Sequence, residues 1–302
     1  MKTLVIGATG QVGHELARQI PSGLIATTRS GESPFAGVSC LALDVTDLDA
    51  ISALIARVEP GLVVNASAYT AVDRAESEAE LAFRVNAQAP ESMARACADV
   101  GARFVHYSTD YVFDGDGREP YRPDDPTAPI GVYGRSKREG EERVLASGAD
   151  AMILRTAWVY GLRGQNFLRT MLRLGGERDE LRVVDDQIGS PTPAWLVAAL
   201  TRELVARGAP AGIQHVIARG AVSWCGFARA IFDEATARGL LARAPRVEAI
   251  PSSEYPTPAK RPSYSVLDTS GLAALGIDVP AWRDALAETF MRDVGAGASA
   301  LG

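Results

Sequence analysis

The sequence predicts an α/β protein: a doubly wound parallel sheet followed by a smaller mixed α/β lobe on the C-terminal side. Three observations carry this. Short β-branched apolar runs alternate with helical patterns through the first half, a glycine-rich turn joins the first strand to the first helix, and the second half loses that regular alternation. With 302 residues, 47% hydrophobic and 23% charged, the chain is long enough for a full core and two lobes.

Thr3-Leu4-Val5-Ile6 reads as the first strand and runs into Gly7-Ala8-Thr9-Gly10-Gln11-Val12-Gly13, after which Val12, Leu16, Ala17 and Ile20 fall at helical spacing. Glycines there allow a tight turn and let backbone approach a pyrophosphate, which rests on the amides and positive dipole of the helix start. That is a Rossmann-type dinucleotide site, with Gly7, Gly10, Gln11, Val12 and Gly13 as its residues.

The second strand, Leu24 to Thr28, ends at Arg29 and Ser30. Where an NAD-selective site places a carboxylate for the ribose hydroxyls, a guanidinium and a hydroxyl suit a 2′-phosphate. The expected cofactor is therefore NADPH, with NADH as the alternative donor. The third strand lies in Val38 to Leu43, before Asp44-Val45-Thr46-Asp47 and a helix over Leu48 to Val58. Asp47 or Thr46 caps that helix, and Asp44 either makes the turn or accepts from an adenine amino group. Leu62 to Ala68 reads as the fourth strand, and the small residues Ala66, Ser67 and Ala68 at its end let a ribose and diphosphate lie against backbone. A helix from about Leu81 to Ala98 carries Asn86, an amide expected to serve structure.

Phe104-Val105-His106-Tyr107 is the fifth strand and leaves Ser108, Thr109 and Asp110 at its carboxyl end, where open α/β sheets bind ligands. Tyr133 and Lys137 then stand four apart, on one face of a helix. An ammonium beside a phenol favours the phenolate and is expected to lower the Tyr133 pKa.

These residues resemble the extended short-chain dehydrogenase/reductase superfamily. Longer strings narrow the resemblance to the dTDP-4-dehydrorhamnose reductase family: Ser108 through Phe113, Arg155 through Gly161, Asn166-Phe167, Asp186 through Thr192, and Tyr255 through Pro262. The resemblance implies reduction of the C4 ketone of a dTDP-4-keto-6-deoxyhexose by NADPH. It implies Tyr133 as proton donor, Lys137 as holder of the nicotinamide ribose, and Thr109 as the hydrogen-bond partner of the sugar carbonyl. Asp110 and Trp158 match substrate-contacting positions. Cofactor positions fall on Gly10 to Gly13, Asp44 and Val45, Ala66 to Ala68, Tyr133 and Lys137. Some relatives pair as dimers through acidic side chains sharing a divalent cation. Here Glu15 fits such a role but Trp195 stands where another acid is expected, so no metal is assigned, and the chain is read as monomer or homodimer.

Two other readings compete. An epimerase or dehydratase of the same superfamily would use recycled NAD and often extra acid/base groups, and Thr109-Asp110 offers no Asp-Glu pair of that kind. A non-catalytic NADP-binding subunit would not need Thr109, Tyr133 and Lys137 together.

The expected division is 1–165 for the cofactor and 166–302 mainly for substrate, with part of 186–217 returning to the first domain. Ala151 to Arg155 is the sixth strand, with Trp158 just past its end. Phe167 to Leu174 reads as a helix that Gly175-Gly176 interrupts. Its Arg169 and Arg173, with Arg178 and Arg261, are candidates for a diphosphate. Leu181 to Val184 and Gln214 to Ile217 read as strands, Trp195 to Val205 as a helix, and Ser223 as the cap of a helix from Gly226 to Arg238. The proline-rich stretch 245–262 is expected to drape over the substrate lobe, and 298–302 to fray.

Net charge is -6, which argues against a nucleic-acid or membrane-surface binder. The first residues carry too short an apolar run for a signal peptide, and no window suits a membrane span. Cys40, Cys97 and Cys225 are widely spaced and form no CxxC, which fits a reducing cytoplasm.

Overall fold

The computed structural model describes residues 1–294; the expected frayed end at 298–302 lies outside them. Seven parallel strands form the central sheet: β1 (Thr3–Ile6), β2 (Leu24–Thr28), β3 (Ser39–Ala42), β4 (Leu62–Asn65), β5 (Arg103–Thr109), β6 (Ala151–Thr156) and β7 (Gly212–His215). Their order across the sheet is β7-β6-β5-β4-β1-β2-β3. The order reverses at β1 and β4, and the crevice beyond those strand ends is where such sheets hold ligands.

Alternation along each strand feeds both faces of the sheet. Val5, Val64, Val105 and Leu154 pack against the helices Gln11–Gln19 and Ala194–Ala206. Leu4, Ile6, Val63, Phe104 and Ile153 pack the other way, against Leu48–Val58 and Ala89–Val100 and onto Val144 of helix Val132–Leu145. A third core, with Leu172, Val183, Phe227, Phe232, Leu286 and Phe290 at its centre, builds the second lobe. There a parallel pair, Glu180–Val184 with Arg246–Ile250, meets helices Phe167–Glu177, Trp224–Ala237 and Trp282–Val294.

Two helices differ from the reading of the sequence. Phe167–Glu177 runs straight through Gly175 and Gly176. A β-carbon at 175 would lie 2.6 Å from Phe232, so this glycine lets two helices approach rather than ending one. The Asn86 region is a π-turn, Arg84–Gln88, between Ala79–Phe83 and Ala89–Val100. Pro90 has no N–H for the Asn86 carbonyl, and the wider turn accommodates that loss. The Asn86 side chain accepts from the Tyr69 amide at 2.9 Å and donates to the Tyr69 carbonyl and Ser136 Oγ, each at 3.0 Å.

The caps follow expectation where they can be checked. Asp47 accepts from the Ala50 amide and Ser223 from the Gly226 amide. Among the described residues no helix is long and apolar enough to cross a membrane.

Candidate active site

The glycine turn owes its shape to two close approaches. Gly7 has φ +87°, and a β-carbon on it would lie 2.8 Å from the Ser67 amide nitrogen. At Gly13 a β-carbon would lie 2.2 Å from the Gly7 carbonyl oxygen, so only glycine lets the helix start so near the strand end. Gly10 caps that helix with no side-chain partner, which leaves first-turn amides available to an anion.

Beside the turn lies a groove of about 460 Å³. Of the expected cofactor residues it is lined by Gly7, Gly10, Arg29, Val45, Ala66, Ser67 and Ala68, and Thr27, Thr46 and Tyr69 join them. Gln11, Val12 and Gly13 form the helix start next to it. The Arg29 guanidinium is exposed at the mouth, 3.9 Å from Asp44. Asp44 spends one carboxylate oxygen on the Thr46 amide and hydroxyl, at 2.9 and 2.8 Å, and those bonds hold its pKa below the usual carboxylate range. Asp44 is thus a turn former whose second oxygen faces Arg29.

The reacting end sits where β5 stops. Thr109 is buried; its hydroxyl donates to Asp110 Oδ1 at 2.9 Å and accepts from the Tyr111 amide at 3.2 Å. Helix Val132–Leu145 crosses this strand end so closely that a β-carbon at Gly134 would lie 2.2 Å from the Tyr111 carbonyl oxygen. That crossing sets the half-buried Tyr133 phenol against Thr109, with the Tyr111 ring edge-on 5.7 Å away.

Lys137, one turn on, is buried, and its amine donates to the Tyr107 carbonyl at 2.5 Å and lies 3.3 Å from His106 Nε2. This corrects the expected effect on the phenol. Burial pushes the Tyr133 pKa up to about 12, against a smaller opposing pull from Thr109. The amine is turned toward β5, and its own pKa falls to about 8 through burial, which the Glu141 carboxylate opposes. Glu141 is in turn held by Arg155 of β6 in a buried pair, at 2.9 and 2.8 Å.

Asp110 is buried with Oδ2 unpartnered, and burial raises its pKa to about 6 while hydrogen bonds from Ser265 and Thr109 pull the other way. Ser265 comes from the segment after the proline-rich stretch, which threads beside this corner: the Tyr264 amide donates to the Gly115 carbonyl and the Ser265 amide to that of Ile188. Trp158 takes a left-handed backbone, φ +47°, and lies flat on Trp224 with ring centroids 3.4 Å apart. A β-carbon at Gly189 would lie 2.4 Å from its indole.

Several candidates go elsewhere. Arg261 is committed to Asp73 by two bonds, at 3.1 and 2.8 Å, and Arg173 to Glu177. Glu15 pairs with Arg18, and Trp195 is buried with its indole N–H on Thr289. His106 escaped the reading of the sequence: inside an apolar run it looked like one more strand residue, and only its partners across β4 and the helix give it a role.

Residues 1–294 match the family model described as the RmlD substrate binding domain. A dTDP-4-dehydrorhamnose reductase of Burkholderia thailandensis is 44% identical, over 95% of this chain and 97% of its own length. The chain belongs to the dTDP-4-dehydrorhamnose reductase family. Among solved members, the Bacillus anthracis enzyme in complex with NADP is 34% identical and superposes with a TM-score of 0.87, covering 97% of this chain and all of that one. The Clostridium acetobutylicum member is 36% identical, with a TM-score of 0.86 over 97% and 99% of the two chains. Membership makes the chain an oxidoreductase of the extended short-chain superfamily.

Proposed function

We propose that this chain reduces the C4 ketone of dTDP-4-dehydro-β-L-rhamnose to give dTDP-L-rhamnose. NADPH, when bound in the glycine-lined groove, supplies the hydride. Gly7, Gly10 and the helix start would hold its diphosphate, Ala66 to Ala68 its ribose, and Arg29 its 2′-phosphate. The division of labour is cofactor on the sheet and nucleotide sugar mainly on the second lobe.

The observation that carries the reading is the Thr109–Tyr133 pair at the carboxyl end of β5, next to that groove. A ketone that accepts hydride develops charge on oxygen. The phenol would donate to that oxygen and then neutralise it with its proton, and Thr109 would join it by turning its hydroxyl proton from Asp110 to the same atom. At a pKa of about 12 the phenol carries that proton throughout the neutral range. Asp110 and Trp158 would contact the sugar.

Purified protein mixed with NADPH should show loss of the 340 nm absorbance only after a dTDP-4-keto-6-deoxyhexose is added. Copurifying NAD with no net oxidation would instead mean an epimerase or dehydratase, and silence with every dTDP-ketosugar would mean a binding subunit.

A further inference from the structure

A second cavity, of about 380 Å³, opens beside the first helix and shares no lining residue with the nucleotide groove. One wall is helix Gln11–Gln19, which presents Gln11, His14, Glu15 and Arg18 at three- and four-residue spacing. The others are the loop 161–163, which leads toward the second lobe, and the end of helix Trp282–Val294 with Arg292. Thr109, Asp110 and Tyr133 do not line it. Small-molecule sites run from about 300 to 1,000 Å³, so this one suits a compact ligand.

In a chain of net charge -6, the cavity is lined by three guanidiniums, Arg18, Arg163 and Arg292, against one carboxylate, Glu15. Each guanidinium has donors to spare. Arg18 meets Glu15 only at 3.5 Å, Arg292 pairs with Glu288 at 2.6 Å, and Arg163 has no ion-pair partner among the described residues. A guanidinium carries five N–H donors, so a single carboxylate leaves much of its fork open to an oxyanion.

His14 gives a second, independent sign. It is only 8% exposed, with Phe35 against its ring at 4.6 Å between centroids. Among the described residues neither ring nitrogen has a hydrogen-bond partner, yet neither is sealed off, so the polar edge of the ring opens into the cavity. A buried polar edge without a protein partner is costly unless a ligand or solvent completes it. Burial first, then the charges of Arg163 and Arg18, lower the His14 pKa to about 4, so at neutral pH the ring is uncharged and has one N–H to donate. The positive field that keeps a second proton off His14 is the field an anion would seek.

We propose that this cavity binds a free oxyanion of the phosphate or diphosphate class, held by Arg18, Arg163 and Arg292 and met by the His14 N–H. The aromatic rings argue for the free ion over a nucleotide. Arg292 lies 4.0 Å over the buried Trp195 ring and Phe35 covers His14, which leaves no open ring on which a base could stack.

The sequence makes a direct test practical, because the chain has three histidines, His14, His106 and His215. Labelling histidine with 15N gives one set of ring signals for each, and His14→Gln identifies the set that belongs to the cavity. The full chain is first saturated with NADP+, so that the nucleotide groove is filled and cannot take the probe. Inorganic diphosphate added at neutral pH and low ionic strength should then shift the His14 signals saturably and leave those of His106 and His215 in place. Sodium chloride at matched ionic strength should not. Arg18→Gln combined with Arg163→Gln should weaken the apparent Kd by about tenfold or more. The proposal is overturned by the absence of a saturable shift, by an equal shift with chloride, or by an unchanged Kd in the double variant. Diphosphate binding seen by calorimetry that leaves His14 unmoved overturns it too, since the ion then sits elsewhere. Both substituted arginines are exposed, and the comparison of diphosphate with chloride needs no variant, so a double variant that fails to fold leaves the test intact. No turnover enters the measurement, so loss of the reductase reading and loss of this one are separately visible.

Discussion

Tyr133, Thr109 and Lys137 differ in how much of their behaviour is local. The helix fixes Tyr133 and Lys137 on one face, so their pairing is legible from a four-residue spacing. The sign of the phenol's shift is not, because it depends on burial and on where the amine points. If Tyr133 is the proton donor, Tyr133→Phe should lower kcat by on the order of a hundredfold while NADPH binding, read by fluorescence titration, stays near wild type. If the exposed Arg29 guanidinium at the groove mouth meets a 2′-phosphate, Arg29→Ala should narrow the preference for NADPH over NADH, measured as a ratio of kcat/KM values.

Asp110 gives a pH-dependent stability prediction. Its folded-state pKa of about 6 exceeds the ordinary 3.8, so the folded protein binds the proton more tightly. The stabilisation is fully present below pH 4 and lost as pH rises through 6. Asp110→Asn should therefore be more stable than wild type above pH 6, by about 1–2 kcal/mol, with the difference vanishing toward pH 4 in denaturant melts.

At the scale of elements, the strands and most helices were legible because each keeps one period and ends on its own signals. Leu24–Thr28 and Leu48–Val58 need nothing beyond β-branched residues and an Asp47 cap. What failed was reading the Gly175-Gly176 pair as a break in its helix. Gly175 and Gly140 lie within helices because a neighbour passes too close for a side chain, and such a neighbour is distant in sequence. Gly140→Ala would put a β-carbon 2.0 Å from the Asn86 carbonyl oxygen, which belongs to the π-turn before Pro90. The expected cost is on the order of 2 kcal/mol, read as a lower denaturant midpoint at unchanged m. The same collision would displace Asn86 from Ser136 and loosen the helix that carries Tyr133.

On the scale of the molecule, two lobes are tied by one helix. In Trp282–Val294, Ala285 packs into the core under the sheet, while Leu286 and Phe290 pack into the core of the second lobe. The segment through Ser265 adds a second tie at the active-site corner. Unfolding by denaturant should therefore be a single transition, with far-UV circular dichroism and tryptophan fluorescence coincident. Separated transitions would show that the shared helix does not couple the cores.

The sequence alone determined the parallel sheet and the glycine-lined groove beside its first strand, and it singled out Thr109, Tyr133 and Lys137 as candidates. The sheet, the groove and the four-residue spacing of Tyr133 and Lys137 follow from short-range periodicity and from residues a few positions apart, whereas the parts given to the threonine, tyrosine and lysine are what the resemblance to the reductase family implies. Only the tertiary structure decided where the lysine amine goes, that His106 meets it, that Arg261 is occupied by Asp73, and that Trp158 lies on Trp224. Those outcomes depend on contacts between residues tens to hundreds of positions apart, and on burial, which sets a charge's free energy only once the surrounding elements are packed.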